Sequence, residues 1–264
     1  MGQAFRDIGA LVRLAYRDTL RLVRALWWVV GLMIVLLLVG TVPGIVLGRY
    51  LLHTDIGQDV LSTLGSVAGL WLAAPYLASI FRFVLTDRIE PPESLRGSPT
   101  SNRLFAWAGV LLFITALPNY AYSLLTDPAI PATTSIAPGT PVNAPQTLVT
   151  FVLLVASWIF GVRSITLLPA TAMGDAISLR EALAHTRRRF WFIVGASIAV
   201  TVPCAFGGAV LSVVAVLIAG EAVGGALSVA ISAATILAAV LLGLSLSARL
   251  YQKFAAAPIP TAPP

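Results

Sequence analysis

The sequence predicts an all-α protein, a polytopic transmembrane helical bundle of six spans with an N-terminal interfacial amphipathic helix. Six long apolar segments fill most of the 264 residues, and Lys and Arg fall almost entirely in alternate connections between them. Each segment exceeds the roughly 20 residues that a helix needs to cross about 30 Å of hydrocarbon. The composition, 58% hydrophobic and 11% charged, excludes an ordinary soluble domain, in which about 25% of residues are charged.

The apolar segments divide the chain into three parts. Residues 1–24 form the interfacial helix, residues 25–253 the transmembrane domain, and residues 254–264 a flexible Pro-rich tail. The predicted spans cover about residues 25–48, 60–81, 104–126, 148–172, 190–220 and 222–248. Five of these segments carry no charged residue, whereas the fourth is interrupted by Arg163 alone.

The N-terminal helix separates basic from apolar side chains. At 100° per residue its five arginines fall within an arc of about 80°. They are Arg6, Arg13, Arg17, Arg21 and Arg24, and the opposite side carries Phe5, Ile8, Val12, Ala15, Tyr16, Thr19 and Val23. Such a helix is expected along the membrane interface, with its arginines toward anionic head groups. Two interpretations stay open: a topology anchor alone, or a surface for a lipid or a protein partner.

The distribution of basic residues predicts the orientation. If all six segments cross, fifteen of the seventeen Lys and Arg residues lie on one side, Arg49 lies on the other, and Arg163 lies within a span. By the positive-inside rule both termini are cytoplasmic. In the alternative, the second apolar segment, which contains Pro75, is re-entrant or interfacial, and the charge alternation is lost.

A second basic group precedes the fifth span. Ser178 and Glu181 have the spacing of a helix capping box. Arg187, Arg188 and Arg189 then meet Phe190 and Trp191, a basic and aromatic border typical of the head-group region. The arginines are either a boundary signal or part of a lipid or partner surface.

Two polar residues within the spans form a candidate intramembrane site. Arg163 costs about 2.5 to 3.5 kcal/mol at the centre of a span on insertion scales. It either snorkels or pairs with Asp175 or Glu181, or it binds an anionic head group or substrate. Asn119 follows Pro118 and either satisfies a freed helix carbonyl or lines a polar cavity. Prolines in spans one to five would favour kinks there.

Other chemistry has little support in the sequence. Cys204 is the single cysteine, so no disulfide framework or cysteine metal cluster is expected. Neither a catalytic motif nor a cofactor or metal site is recognisable. The net charge of +6 is explained by topology, so no nucleic-acid partner is predicted. In span six, the four-residue spacing of Ala239, Gly243 and Ser247 suits close helix contact.

The stretch from 163 to 195 resembles bacterial six-span membrane proteins related to the membrane domain of some glycerophosphoryl diester phosphodiesterases. The residues that carry the resemblance are Arg163, Leu168, Pro169, Ala170, Ser178, Glu181, Ala182, Thr186, Arg187, Phe190, Trp191 and Gly195. Where those families typically have Thr-Arg-Gly-Asn, this chain has Arg188 and Arg189. The resemblance implies six spans with cytoplasmic termini in a bacterial inner membrane, and it implies no phosphodiesterase activity.

We therefore expect a non-catalytic membrane protein that acts by interaction or scaffolding. Its expected partners are anionic membrane lipid and a membrane protein, bound through the N-terminal arginines and Arg187 to Arg189. The alternative is a small transporter or channel with a cavity between Pro-kinked helices, containing Asn119 and Arg163.

Overall fold

The computed structural model of the protein describes residues 2–47, 55–126, 144–175, 178–187 and 189–254. Every regular element within these ranges is an α-helix, so the all-α fold class is confirmed for this part of the chain. The helices are α1 (Gly2–Leu47), α2 (Asp55–Thr86), α3 (Pro92–Leu95), α4 (Pro99–Thr126), α5 (Ala144–Arg163), α6 (Leu167–Ala172), α7 (Leu179–Arg187) and α8 (Phe190–Phe254). Arg49, residues 127–143 of the connection after α4 and the tail from residue 255 lie outside the described ranges.

Five helical segments of the described chain are long and apolar enough to cross a membrane. They are Phe5–Pro43, Asp59–Thr86, Pro99–Pro118, Phe190–Gly220 and Val223–Phe254. They coincide with five of the six predicted spans. The sixth, Leu148–Arg163, is apolar but shorter, so six spans are not confirmed.

The fourth predicted span, 148–172, is not one continuous helix. Helix α5 ends at Arg163 and α6 begins only at Leu167. In the intervening turn the Leu167 N–H donates to the Ser164 carbonyl at 2.9 Å, three residues back instead of four. Pro169 explains the break, because it has no N–H to donate and its ring clashes with the carbonyl four residues earlier, that of Ile165.

Helix α8 is a hairpin of two long helices that reverse at Gly220. Gly220 has φ 74° and ψ 175°, a backbone conformation that side chains with a Cβ rarely adopt. The two halves then pack closely: a Cβ placed on Gly224 would lie 2.5 Å from the Cα of Val216. A Cβ on Gly208 would lie 2.1 Å from the Thr235 hydroxyl. The predicted break between spans five and six therefore falls where a glycine permits it.

The outer surface of this hairpin is apolar and uncovered. Leu217 and Ile218 are 77% and 81% exposed, and Val229 is 70% exposed. A contiguous exposed apolar surface of this kind is typical of contact with lipid or with another protein. The hairpin therefore has the surface expected of a membrane-spanning element.

Four of the prolines at which kinks were expected lie inside helices that continue on both sides of the proline. Pro43, Pro75, Pro118 and Pro203 are all internal to α1, α2, α4 and α8. Residues with non-helical backbone angles inside α1 and α8 are instead Leu26 and Gly220. Neighbouring groups in a bundle can satisfy the carbonyls that proline frees, so proline is tolerated without interrupting the helix.

Helices α1 and α2 cross with their backbones in contact. A Cβ on Gly40 would lie 2.3 Å from the Gly65 carbonyl oxygen and 2.6 Å from Gly69. Beside this contact the Thr41 and Ser66 hydroxyls are hydrogen-bonded at 3.0 Å. Gly65 and Gly69 form a Gly-xxx-Gly pair, the pattern that lets membrane helices approach closely. At Gly243, where the sequence suggested a close helix contact, a Cβ would meet no atom within 4 Å.

The N-terminal segment of α1, residues 2–25, packs on the α8 hairpin. Its buried side consists of Leu11, Ala15, Asp18, Thr19 and Leu22, at helical spacing. The prediction of a separate interfacial helix is not confirmed, because the segment continues into the first span across a kink at Leu26. The buried face of this segment is also rotated about the helix axis from the apolar face that the sequence predicts, since Phe5 and Val23 are 73% and 42% exposed. The buried face is shifted toward Leu11, Asp18 and Leu22.

Candidate functional site: a basic surface at the charged end of the bundle

Ionic contacts hold together one end of the bundle, where α1 begins, α2 ends and α8 ends. We call this region the charged end. The ion pairs among the described residues are Arg21 with Asp87 at 2.6 Å, Arg249 with Asp18 at 2.6 Å, Lys253 with Asp7 at 2.8 Å, and Arg82 with Glu90. The Arg82 Nε also donates to the carbonyl of Ala172 at 2.8 Å, which ties α2 to α6. The charged end is therefore a fixed framework on which other basic residues are displayed.

Five exposed arginines of α1 form what we call the basic row. They are Arg6, Arg13, Arg17, Arg21 and Arg24, as singled out from the sequence, and all five are exposed. Arg21 pairs with Asp87, and the Arg13 Nε donates to the Gly9 carbonyl at 3.4 Å. Within the described residues no ion pair includes any of the other four. Most of the positive charge of the row is therefore not neutralised inside the protein.

Apolar side chains flank the basic row. Leu14 and Leu20 are 39% and 58% exposed, and Trp27 and Trp28, just past the kink, are 70% and 40% exposed. Exposed aromatic and aliphatic groups beside arginine favour the head-group region of a membrane, where the ring or chain lies in the acyl boundary and the charge meets phosphate. The outer face of α1 thus combines both kinds of group that an interface accepts.

The second predicted basic group lies near the same end. Arg187 and Arg189 are exposed, whereas Arg188 lies outside the described residues. The Arg189 guanidinium stacks 4.2 Å from the ring centre of Phe254, next to the Lys253 that pairs with Asp7 of α1. Contacts at the end of α8 therefore connect the two basic groups.

The helix before this group is capped as the sequence predicts. The Ser178 N–H and hydroxyl donate to the Glu181 carboxylate at 2.8 and 2.9 Å, and the Glu181 N–H donates to the Ser178 hydroxyl at 3.3 Å. This reciprocal arrangement satisfies donors that the first turn of a helix leaves free. It sets the start of α7 and, through α7, the position of Arg187.

Arg163 joins the end of α5 to α7. Its Nη2 donates to the Leu183 carbonyl at 2.9 Å, and its own carbonyl accepts a hydrogen bond from the Thr186 hydroxyl at 2.8 Å. Its Nε is buried and has no hydrogen-bond partner in the described part of the chain. Within the described residues Arg163 forms no ion pair with Asp175 or Glu181.

The two carboxylates predicted as partners of Arg163 have other hydrogen bonds. Asp175 accepts one from the Tyr251 hydroxyl, and Glu181 belongs to the cap at Ser178. The side chain of Asn119 lies outside the described residues, so a joint site of Asn119 and Arg163 stays a prediction.

We expect Thr186→Val to destabilise the bundle, because it removes the donor to the Arg163 carbonyl at a position that is fully buried. Leaving a buried acceptor unpaired costs about 1 to 3 kcal/mol. The thermal unfolding temperature in detergent should therefore fall by several degrees, since each kcal/mol of lost stability lowers it by roughly 2 to 4 °C. Thr115→Val is the matched control, since Thr115 is an exposed helical threonine. Equal unfolding temperatures for the two variants would contradict this account.

The buried ion pair of Asp18 and Arg249 was not predicted from the sequence. Its Nε–Oδ2 distance is 2.6 Å, and the Asp18 side chain is 4% exposed. The neighbouring Thr19 and Ser245 hydroxyls, 3.0 Å apart, join the same two helices. The signal was an acidic residue at helical spacing from Leu11, Ala15 and Leu22, because a carboxylate on an apolar helix face is rarely buried without a partner.

Comparison with known proteins finds no family model, no curated protein and no solved structure that matches the chain. The resemblance to the membrane domain of glycerophosphoryl diester phosphodiesterases therefore stays a prediction.

Proposed function

We propose that this protein is a non-catalytic, multi-pass membrane protein that acts by interaction, engaging anionic lipid through the basic row of α1 and the arginines near Arg187. The carrying observation is that four exposed arginines of the row have no ion pair among the described residues. Each such charge contributes about 1 kcal/mol near an anionic leaflet. A scaffold for a membrane-protein partner would use the same surface.

The proposed location is the inner membrane of a bacterium, with both termini in the cytoplasm. The support is the distribution of charge, since the starts and ends of the helices that meet at the charged end carry most of the basic residues. Cytoplasmic connections are enriched in Lys and Arg, and the cytoplasmic leaflet carries the anionic lipid that the basic row would meet. The same basic surface thus supports both the proposed cytoplasmic location of the termini and the proposed binding of anionic lipid.

A transporter or channel remains the second candidate from the sequence, and we give it less weight. Arg163 holds α7 against α5 by its bonds with Leu183 and Thr186. It is not among the wall residues of three cavities whose linings lie within the described residues. Its known contacts are therefore those of a structural residue.

Binding of phosphatidylglycerol tests the proposal. Wild-type protein in micelles containing equal amounts of phosphatidylglycerol and phosphatidylcholine should retain phosphatidylglycerol preferentially, as counted by native mass spectrometry. The triple variant Arg13→Gln, Arg17→Gln, Arg24→Gln should bind it at least tenfold more weakly, because about 1 kcal/mol per charge corresponds to roughly fivefold in affinity.

The control removes three other exposed arginines with the same loss of charge: Arg88→Gln, Arg96→Gln, Arg103→Gln. This variant should retain phosphatidylglycerol nearly as wild type does. Equal loss in both triple variants would show an effect of net charge alone and would overturn the assignment to α1. Unchanged retention in the α1 variant would overturn the lipid proposal itself.

A further inference from the structure

A groove of about 550 Å³ lies between the N-terminal segment of α1 and the two halves of the α8 hairpin. Small residues form its floor: Gly207 and Gly208 on the first half, and Ala234 and Ala238 on the second. Tyr16 and Leu20 of α1 line it on the remaining side. Its volume is within the range of about 300 to 1,000 Å³ that ligand sites occupy.

The walls of the groove belong to segments that have the composition of membrane spans, Phe190–Gly220 and Val223–Phe254. On the second half the lining runs from Ile231 to Leu242, a length of roughly 16 Å at 1.5 Å per residue. An apolar slot of this shape inside hydrocarbon has few polar groups to offer a solute. It does suit an extended acyl chain, which can fill the slot by van der Waals packing against its apolar walls.

The basic row adjoins the α1 side of this groove. Arg13 is three residues before Tyr16, Arg17 three before Leu20, and Arg24 four after it. Residues three and four apart share a helix face, so the three guanidinium groups lie next to the lining residues. None of the three has an ion pair within the described residues. An apolar slot beside uncompensated arginine charge is complementary to an anionic lipid, because phosphate accepts charge-assisted bonds from arginine.

We propose that the groove binds one anionic phospholipid, with an acyl chain between the two halves of the α8 hairpin and the head group on the stretch of the basic row that carries Arg13, Arg17 and Arg24. This inference rests on the proposed function and deepens it, because it replaces a diffuse attraction by a site of defined stoichiometry. A groove site requires both the chain and the charge, whereas surface attraction requires only the charge.

Gly207→Leu separates these two cases. Gly207 lines the groove, and a Cβ built on it meets no atom within 4 Å, so a leucine there enters the slot without moving the backbone. Gly225→Leu is the matched control, since Gly225 lies in the same hairpin, also has open space around its Cβ, and is not a lining residue. Neither substitution changes the charge of the basic row.

The measurement is native mass spectrometry of protein released from micelles that contain dioleoyl phosphatidylglycerol over a range of concentrations. Wild type and Gly225→Leu should each show one phosphatidylglycerol that saturates first and survives activation. Gly207→Leu should require at least tenfold more lipid to reach the same occupancy. Ala234→Phe, which fills the groove from the other half of the hairpin, should show the same loss and guards against a folding defect of one variant.

Three results would overturn the groove site. Normal retention in both Gly207→Leu and Ala234→Phe, with loss in the triple arginine variant, removes the groove and leaves the proposed function intact. Normal retention of phosphatidylglycerol in all of these variants would contradict both the groove site and the proposed function. A membrane protein co-purified at one copy per chain, lost with Gly207→Leu while phosphatidylglycerol remains, shows that a helix occupies the groove.

Discussion

Replacing Gly40 by alanine should destabilise the bundle by about 3 kcal/mol or more, toward the upper end of what overpacking costs. The added methyl carbon would lie 2.3 Å from the Gly65 carbonyl oxygen and 2.6 Å from the Gly69 backbone. Both neighbours are backbone, so no side chain can rotate away. The helices would have to separate, and the hydrogen bond between the Thr41 and Ser66 hydroxyls would break with them.

Gly31→Ala is a matched control in the same helix. A Cβ on Gly31 meets no atom within 4 Å, so no clash follows. Alanine is favoured over glycine in a helix by up to about 1 kcal/mol, and Gly31→Ala should be neutral or slightly stabilising. The two substitutions are chemically identical and should move the thermal unfolding temperature in detergent in opposite directions. If Gly40→Ala unfolds at or above the temperature of Gly31→Ala, the close crossing of α1 and α2 does not exist.

Asp18→Ala should cost about 3 kcal/mol, because it leaves Arg249 without its carboxylate in a largely buried position. The side chains of Asp18 and Arg249 are 4% and 20% exposed, and their Nε–Oδ2 distance is 2.6 Å. The estimate is at the low end for a broken buried pair, since Arg249 keeps some solvent contact and a 2.8 Å hydrogen bond to Gln252. Thermal unfolding in detergent is the measurement.

The double variant Asp18→Leu, Arg249→Met distinguishes pairing from mere removal of a residue. Replacing both charges by apolar groups of similar size is often neutral, so this variant should recover most of the loss. Asp7→Ala breaks the more exposed pair with Lys253, whose side chains are 44% and 36% exposed, and should cost less than about 1 kcal/mol. A double variant no more stable than Asp18→Ala would show that the ion pair does not join α1 to α8.

The positions of the spans were the most predictable part of the fold. A charge-free run long enough to cross a membrane has few structures open to it other than a membrane-spanning helix. Five of the predicted runs lie in helices of the required length and hydropathy. In the fourth run the helix breaks between Arg163 and Leu167, and hydropathy alone does not detect a local backbone break of this kind. Pro169 was visible in the sequence, but proline lies inside continuous helices at Pro43, Pro75 and Pro203. Whether a helix ends at proline depends on its neighbours, which a single sequence does not show.

Helix contacts were harder to predict than helices. The Gly65 and Gly69 pair has the same four-residue spacing as Ala239, Gly243 and Ser247, yet a Cβ on Gly243 would meet no atom within 4 Å. The spacing of small residues identifies a helix face on which a second helix can pack closely. Whether such packing occurs depends on which helix is adjacent in the fold. The basic row was predictable from helical periodicity, and its arginines are exposed. Its relation to the groove was not, because the floor of the groove comes from residues near 207 and 234.

The central claim is that this bundle engages anionic lipid at its charged end. Extraction of the full chain from its native membrane in detergent-free polymer discs, followed by mass spectrometry of the lipids in each disc, tests it most directly. Discs that contain the wild-type protein should be enriched in anionic phospholipid relative to empty discs from the same membrane, and discs with the Arg13→Gln, Arg17→Gln, Arg24→Gln variant should not. Lipid of bulk composition around the wild-type protein would contradict the claim.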